Sequence, residues 1–258
     1  MSEIKYGALT LALSEGGEAY TVVSCDKDAE RVEIPMNVNG NYISAIGDNA
    51  FEGCVQLREI DFKFPETDEE IMEYIGISSI GEYAFNECVS LESIDIPYSI
   101  TSIGRGAFYG CTALETVTYN PNSYIAPYAF CHCHSLKTVS PLEGYVSEGM
   151  FSHCKSMELF PVVEGATEIG EDAFEHCYAL EHIVIPKTVE RIESLAFRSC
   201  YSLKTVKFEE TDGWYCKWRY LNGEEREIDV SNPTKNATAL SRMDFDDGVI
   251  AWYRKKRK

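Results

Sequence analysis

The chain has 258 residues, 45% of them hydrophobic, with 42 acidic against 23 basic side chains and a formal charge of −19. That charge excludes a binder of nucleic-acid backbone or of anionic membrane, since both need clustered Lys and Arg. It favours solubility and cationic partners, and no run of about 20 apolar residues is present to insert into a bilayer.

Residues 1–25 read as an N-terminal cap. Tyr6 to Leu13 and Ala19 to Val23 are short apolar runs, and between them Ser14-Glu15-Gly16-Gly17 supplies the glycines of a hairpin turn. Gly7 to Leu13 is only weakly apolar and Glu15 follows at once, so a first strand is expected there and not an export signal. The default compartment is then the cytoplasm. Residues 31–45 form a half-repeat, in which Val32, Ile34 and Pro35 match the end of a unit that then recurs.

The unit is most complete from Ile169 to Pro186, with the skeleton I-G-x-x-A-F-x-x-C-x-x-L-x-x-I-x-I-P. Seven copies carry Phe51, Phe85, Phe108, Phe130, Phe151, Phe174 and Phe197, at steps of 34, 23, 22, 21, 23 and 23 residues. A period near 23 means a solenoid of leucine-rich-repeat length, in which each coil packs on its neighbours. Residues 26–210 are therefore one repeat domain. The L-x-x-I-x-I piece alternates and is β-branched, so it is a short strand of a parallel sheet. Ala-Phe-x-x-Cys places Phe and Cys on one face of a helical turn, with the Phe column in the core. Gly47, Gly81, Gly104 and Gly170 suit tight corners.

Seven of the ten cysteines (Cys54, Cys88, Cys111, Cys133, Cys154, Cys177 and Cys200) stand three residues after the repeat Phe. Equivalent residues of stacked coils lie about 4.8 Å apart, wider than the ~3.8 Å between Cβ atoms of a disulfide. They read as an internal ladder of free thiols, which behave as small hydrophobes. Two irregularities interrupt the pattern. The 34-residue step carries 11 extra residues within Lys63 to Ser79, an acidic loop with Glu66, Asp68, Glu69, Glu70 and Glu73. The fifth repeat, Val146 to Val163, has Ser147, Met150 and Met157 in the Gly, Ala and Leu slots, and a local change of curvature is expected there. Residues 211–258 are read as a C-terminal cap with a basic tail, Arg254 to Lys258, that frays into solvent. Asn236-Ala237-Thr238 is a glycosylation sequon only in an exported chain.

The repeat skeleton, with Cys where ordinary leucine-rich repeats carry Leu, resembles the BspA-like leucine-rich repeat family of bacterial and protist proteins over about residues 43–208. Trp214-Tyr215, Asn232-Pro233 to Ala239-Leu240, and Trp252-Tyr253-Arg254 resemble that family's C-terminal cap. The resemblance implies a right-handed, β-rich α/β solenoid, with a curved parallel sheet and short helical turns on the convex side. It implies a non-catalytic binding module, often a surface adhesin, so the cell surface or secretion is the alternative compartment.

In L-x-x-I-x-I, the second and fourth residues after Leu point outward. They are Glu59 and Asp61, Ser93 and Asp95, Thr116 and Thr118, Thr138 and Ser140, Leu159 and Pro161, His182 and Val184, Thr205 and Lys207. The stripe grades from acidic through hydroxyl-rich and apolar to basic. Glu59, Asp61, Ser93, Asp95, Thr116, Thr118, Thr138 and His182 are its candidate binding residues, for a protein or glycan partner met by a monomer without cofactor. His132, His153 and His176 share one repeat slot, each before a ladder Cys, and Cys131 and His134 add further soft ligands. Zinc or copper could use such groups. An inward Cys and an outward His divide the ligands between two faces, however, so a solvent-facing histidine ladder is expected and no metal. Metal- or redox-responsive use of these ladders, or a structural spacer, is the alternative function. No cysteine is singled out as a nucleophile, because every ladder Cys is first explained by packing.

Overall fold

The computed structural model describes residues 2–63, 76–218, 225–242 and 249–255, so most of the expected acidic insertion and the end of the basic tail lie outside the described residues. The chain divides into two compact units, Met1–Cys133 and His134–Lys258.

In the first unit the cap is a three-stranded antiparallel meander, Glu3–Tyr6, Leu9–Leu13 and Ala19–Cys25. The expected hairpin is its inner part. The outer strand arises because Gly7, at φ 56°, turns the chain inside what looked like one apolar run. Ala19–Cys25 then pairs in parallel with Asn41–Ile46, which starts a column continued by Ser79–Ile80, Ser102–Ile103 and Tyr124–Ile125. These are the short strands of the x-I-G segment. The L-x-x-I-x-I segments form the other column, in which Arg31–Ile34 pairs with Glu59–Phe62 and Ser93–Asp95 with Thr116–Thr118. Alternation decides the faces: Ile60, Ile94 and Val117 are buried while their neighbours are exposed.

Between the two strands of every coil runs Ala-Phe-x-x-Cys, expected as a helical turn. It is a chain of tight turns, and among the described residues the one α-helix is Pro233–Ser241. Two left-handed residues per coil explain the difference. The position two before Phe has φ of 52–61° at Asn49, Tyr83, Gly106, Tyr128, Gly149, Asp172 and Leu195, and the position two after has 58–72° at Gly53, Glu87, Gly110, His132, His153, His176 and Ser199. A left-handed residue ends any helix. Backbone N–H groups then alternate between their own turn and the next coil: Cys54 N–H donates to Phe51 O at 3.0 Å, and Phe51 N–H to Ala84 O at 2.7 Å. The backbone groups of these turns are thus paired without a helix.

The Phe column is core, as expected. Ring centroids are 4.7 Å apart for Phe51–Phe85, 5.0 Å for Phe85–Phe108 and 5.4 Å for Phe108–Phe130, each pair stacked. The 34-residue step is no interruption here, because Phe51 and Phe85 on either side of it stack like the other pairs. The cysteines lie within the same core. Cys88 Sγ donates to Phe51 O, Cys111 to Phe85 O and Cys133 to Phe108 O, at 3.1–3.2 Å. A thiol is apolar enough for this core and adds a hydrogen bond between coils that Leu cannot make. Burial pushes the Cys88 and Cys200 thiols up to about 12 and that of Cys111 well above its ordinary value. Gly81 and Gly104 serve close approach and not a left-handed corner: a Cβ on Gly104 would stand 2.6 Å from Glu82 N and Gly81 C.

The second unit repeats the plan. Phe151, Phe174 and Phe197 stack at 5.5 and 5.4 Å, Cys177 and Cys200 donate to the Phe151 and Phe174 carbonyls, and His182–Ile185 pairs with Thr205–Phe208. The degenerate fifth repeat has no strand between Met157 and Pro161. Phe160 folds in there instead, 5.1 Å from Phe174 and 5.8 Å from Phe197. The C-terminal segments pack beside the last coil. Trp214–Trp218 and Val249–Arg254 add antiparallel strands to Arg191–Glu193. The helix Pro233–Ser241, N-capped by Asn232, sets Ala237 and Leu240 into the end of the core. Asn236 is 2% exposed and its Nδ2 donates to Val206 O and Val230 O. The sequon is thus a buried clamp, inaccessible to glycosylation in the folded chain.

Candidate functional site

In the first unit the stripe residues Glu59, Asp61, Ser93, Asp95, Thr116 and Thr118 are all exposed on their strands. Parallel register sets Ser93 beside Thr116 and Asp95 beside Thr118, and Thr118 Oγ1 donates to Asp95 Oδ1 at 2.8 Å. Register also sets Arg31 beside Glu59 and Glu33 beside Asp61. Arg31 bonds Glu59 at 2.6 Å, while Lys63 reaches Asp61 at 2.6 Å and Glu33 at 3.4 Å. These five side chains make a charge lattice, and four of them, Arg31, Glu33, Glu59 and Asp61, line an open hollow of about 240 Å³. The acidic end of the stripe is therefore internally compensated. Arg31 and Glu33 were absent from the sequence-read stripe, although they flank Val32 by the same period-2 rule.

In the second unit Thr138, His182, Val184 and Lys207 are exposed, as expected. His182 Nδ1 and Thr205 Oγ1 are 2.8 Å apart, and Lys204 pairs with Glu181 at 2.5 Å. Ser140 is only half-buried, and Pro161 is buried and not outward. The loss of the strand in the fifth repeat breaks the alternation that would have exposed it. Leu159 stays 64% exposed and, with Glu158, Ala179, Glu181, His182 and Ser202, lines an open hollow of about 570 Å³.

The histidine slot has a backbone cause. His132, His153 and His176 occupy a left-handed position, at φ of 59–64°, which Gly53 and Gly110 fill in other coils. His is among the few side chains enriched there. The recurrence of Gly in the slot was the available signal. Far from facing solvent, all three are half-buried. His153 and His176 have ring centroids 4.3 Å apart. Glu175, buried and not singled out by sequence, stands with its Oε1 3.5 Å from His176 Nε2. It also accepts from Arg198 and, at 3.3 Å, from Ser152 Oγ.

Coils of two short parallel strand columns joined by turns, with a stacked aromatic core and capped ends, define a β-rich leucine-rich-repeat solenoid. The chain belongs to the BspA-type leucine-rich repeat family, whose profile matches it over residues 24–140 and 124–214 in six copies. A leucine-rich cell surface protein of Faecalibacterium prausnitzii A2-165 is 27% identical, with a TM-score of 0.68 over 90% of this chain and 62% of that one. The chain thus spans under two thirds of that protein's length. The Treponema pallidum leucine-rich repeat protein, at 20% identity and TM-score 0.54 over 69% of this chain and 91% of that one, shares the fold. So does a leucine-rich repeat protein of Eubacterium ventriosum, at 23% identity and 0.56 over 76% and 49%. No curated protein matches the chain.

Proposed function

We propose that the chain is a non-catalytic binding module, adhesin-like in use, that holds a protein or glycan on the outward face of its L-x-x-I-x-I strands. The observation that carries this reading is the in-register row Ser93, Asp95, Thr116 and Thr118, exposed over a buried Ile94 and Val117. Such a row offers hydroxyl and carboxylate groups at the ~4.8 Å strand spacing on a rigid frame. Rigidity lowers the entropy cost of binding an extended ligand. The charge lattice of Arg31, Glu33, Glu59, Asp61 and Lys63 adds a patterned edge that selects partners by charge complementarity. The Faecalibacterium relative is described as a cell surface protein, and this supports an extracellular partner met by a monomeric module. Activity here means surface complementarity, without bond chemistry.

The test is capture on arrays of glycans and extracellular-matrix proteins, comparing the wild type with Glu59→Gln/Asp61→Asn/Asp95→Asn. A specific ligand weakened in the triple variant supports the stripe. A ligand bound equally by both removes these acids from the site, and no ligand on either array leaves the spacer role as the better reading.

A further inference from the structure

We propose that His153, Glu175 and His176 bind one divalent transition-metal ion of the zinc class. One ligating atom from each of the three lies within 4.8 Å of the others. The frame that holds them is rigid, because His153 N–H donates to Glu175 O at 2.7 Å and His176 N–H to Arg198 O at 2.8 Å. Tyr178 Oη lies 3.0 Å from His176 Nδ1, which leaves Nε2 facing Glu175 as the ligating nitrogen. A hydrogen-bond acceptor on the far ring nitrogen fixes the tautomer and orientation of a metal-bound imidazole, and the Tyr178 oxygen can fill that place. The ligands must draw in to about 2.0–2.2 Å from the ion, which side-chain rotation about the half-buried imidazoles supplies.

The surroundings want positive charge. Asp172 Oδ1 is buried and has no hydrogen-bond partner. Arg198 bonds Glu175 through Oε1 and Ser152 bonds Oε2, which keeps one lone pair for an ion. The donor set selects the ion: two imidazoles and one carboxylate suit zinc, nickel or copper, while calcium and magnesium demand oxygen cages. The neighbouring thiol of Cys177 is not a ligand, because it donates into the core to Phe151 O at 3.2 Å. The division of His and Cys between two faces, which spoke against a metal when the thiols were counted as ligands, is removed once a carboxylate takes their place.

The test is calorimetric titration of the full chain with Zn²⁺ under reducing conditions, with Co²⁺ absorption as the ligand signature. His153→Gly and His176→Gly are the informative variants, since Gly relieves the left-handed backbone and Gly110 already fills this slot; His153→Asn serves if either fails to fold by circular dichroism. His182→Asn is the control for adventitious imidazole binding. One saturable equivalent, weakened more than about tenfold in both slot variants and unchanged in the control, with a nitrogen- and oxygen-type Co²⁺ spectrum, is the expected result. No saturable Zn²⁺ binding, equal binding by the slot variants, or a thiolate-type Co²⁺ spectrum overturns the proposal.

Discussion

Phe108→Ala tests the stacked core where it is most demanding. Phe108 is 0% exposed and its ring is sandwiched at 5.0 Å from Phe85 and 5.4 Å from Phe130, with interplanar angles of 3° and 11°. Truncating a buried Phe costs about 3–5 kcal/mol, more where the surroundings cannot collapse. Here they cannot, because the coil spacing is set by backbone bonds such as Phe108 N–H to Ala129 O at 2.8 Å. Two aromatic contacts of about 0.5–1.5 kcal/mol each also vanish, which places the loss at the upper end, roughly 4–5 kcal/mol. With an m-value of about 2–3 kcal/mol/M, the urea midpoint falls by roughly 1.3–2.5 M. Phe108→Leu keeps most of the apolar volume and loses only the two ring contacts, so its cost is about 1–3 kcal/mol. Equilibrium urea denaturation followed by circular dichroism reads both. A Phe108→Ala midpoint within about 0.5 M of wild type, or Leu as harmful as Ala, would refute the reasoning.

Other outcomes follow from the same frame. Gly104→Ala places a Cβ 2.6 Å from backbone of the preceding coil, so thermal melting should show a loss of about 1–3 kcal/mol from overpacking. Glu87→Gly relieves a left-handed residue at φ 58° on an exposed turn and should raise the melting temperature, by about 1 kcal/mol of stability; a drop would mean that Glu87 makes contacts worth more than the strain. Asp172 keeps its proton in the folded state up to about 7, against an ordinary 3.8. Stability is therefore lost as pH rises from about 4 to about 7, with no loss below. Asp172→Asn should gain about 1–2 kcal/mol at pH 8, after allowance for partial exposure, and nothing at pH 4. Melts with chelator present check this, and an equal gain at both pH values would contradict the burial cause. Cys88, Cys111 and Cys200, buried with raised pKa, should resist iodoacetamide at pH 8 in the native protein and react only after unfolding, as mapped by mass spectrometry.

The repeat, the Phe core and the outward strand positions were legible because each is a one-body consequence of periodicity: the same residue type returns to the same environment. What escaped the sequence depends on the backbone or on two coils at once. The left-handed slots hold Gly, Asn, Asp, Tyr, Glu, Leu, Ser and His alike, so no single residue type marks them, and the expected helical turn was wrong for that reason. Cys in place of Leu was read as packing, but its hydrogen bond to the preceding Phe carbonyl joins residues 37 apart. The charges of Glu59 and Asp61 looked unopposed because the half-repeat holding Arg31 was left out of the stripe and Lys63 follows the strand. Pro161 was misplaced because the fifth repeat has no strand there to alternate, and the half-buried Phe160 turns toward the Phe column instead.

Once a ligand is found, the most direct test is its affinity for two paired variants, Thr116→Arg/Thr118→Arg on the outward strand row and Glu82→Gln/Glu87→Gln on the turn row. The account predicts that the strand pair loses more than about tenfold, or about 1.4 kcal/mol, while the turn pair binds as wild type. Loss in the turn pair with an unaffected strand pair would contradict it and move the binding surface to the turns.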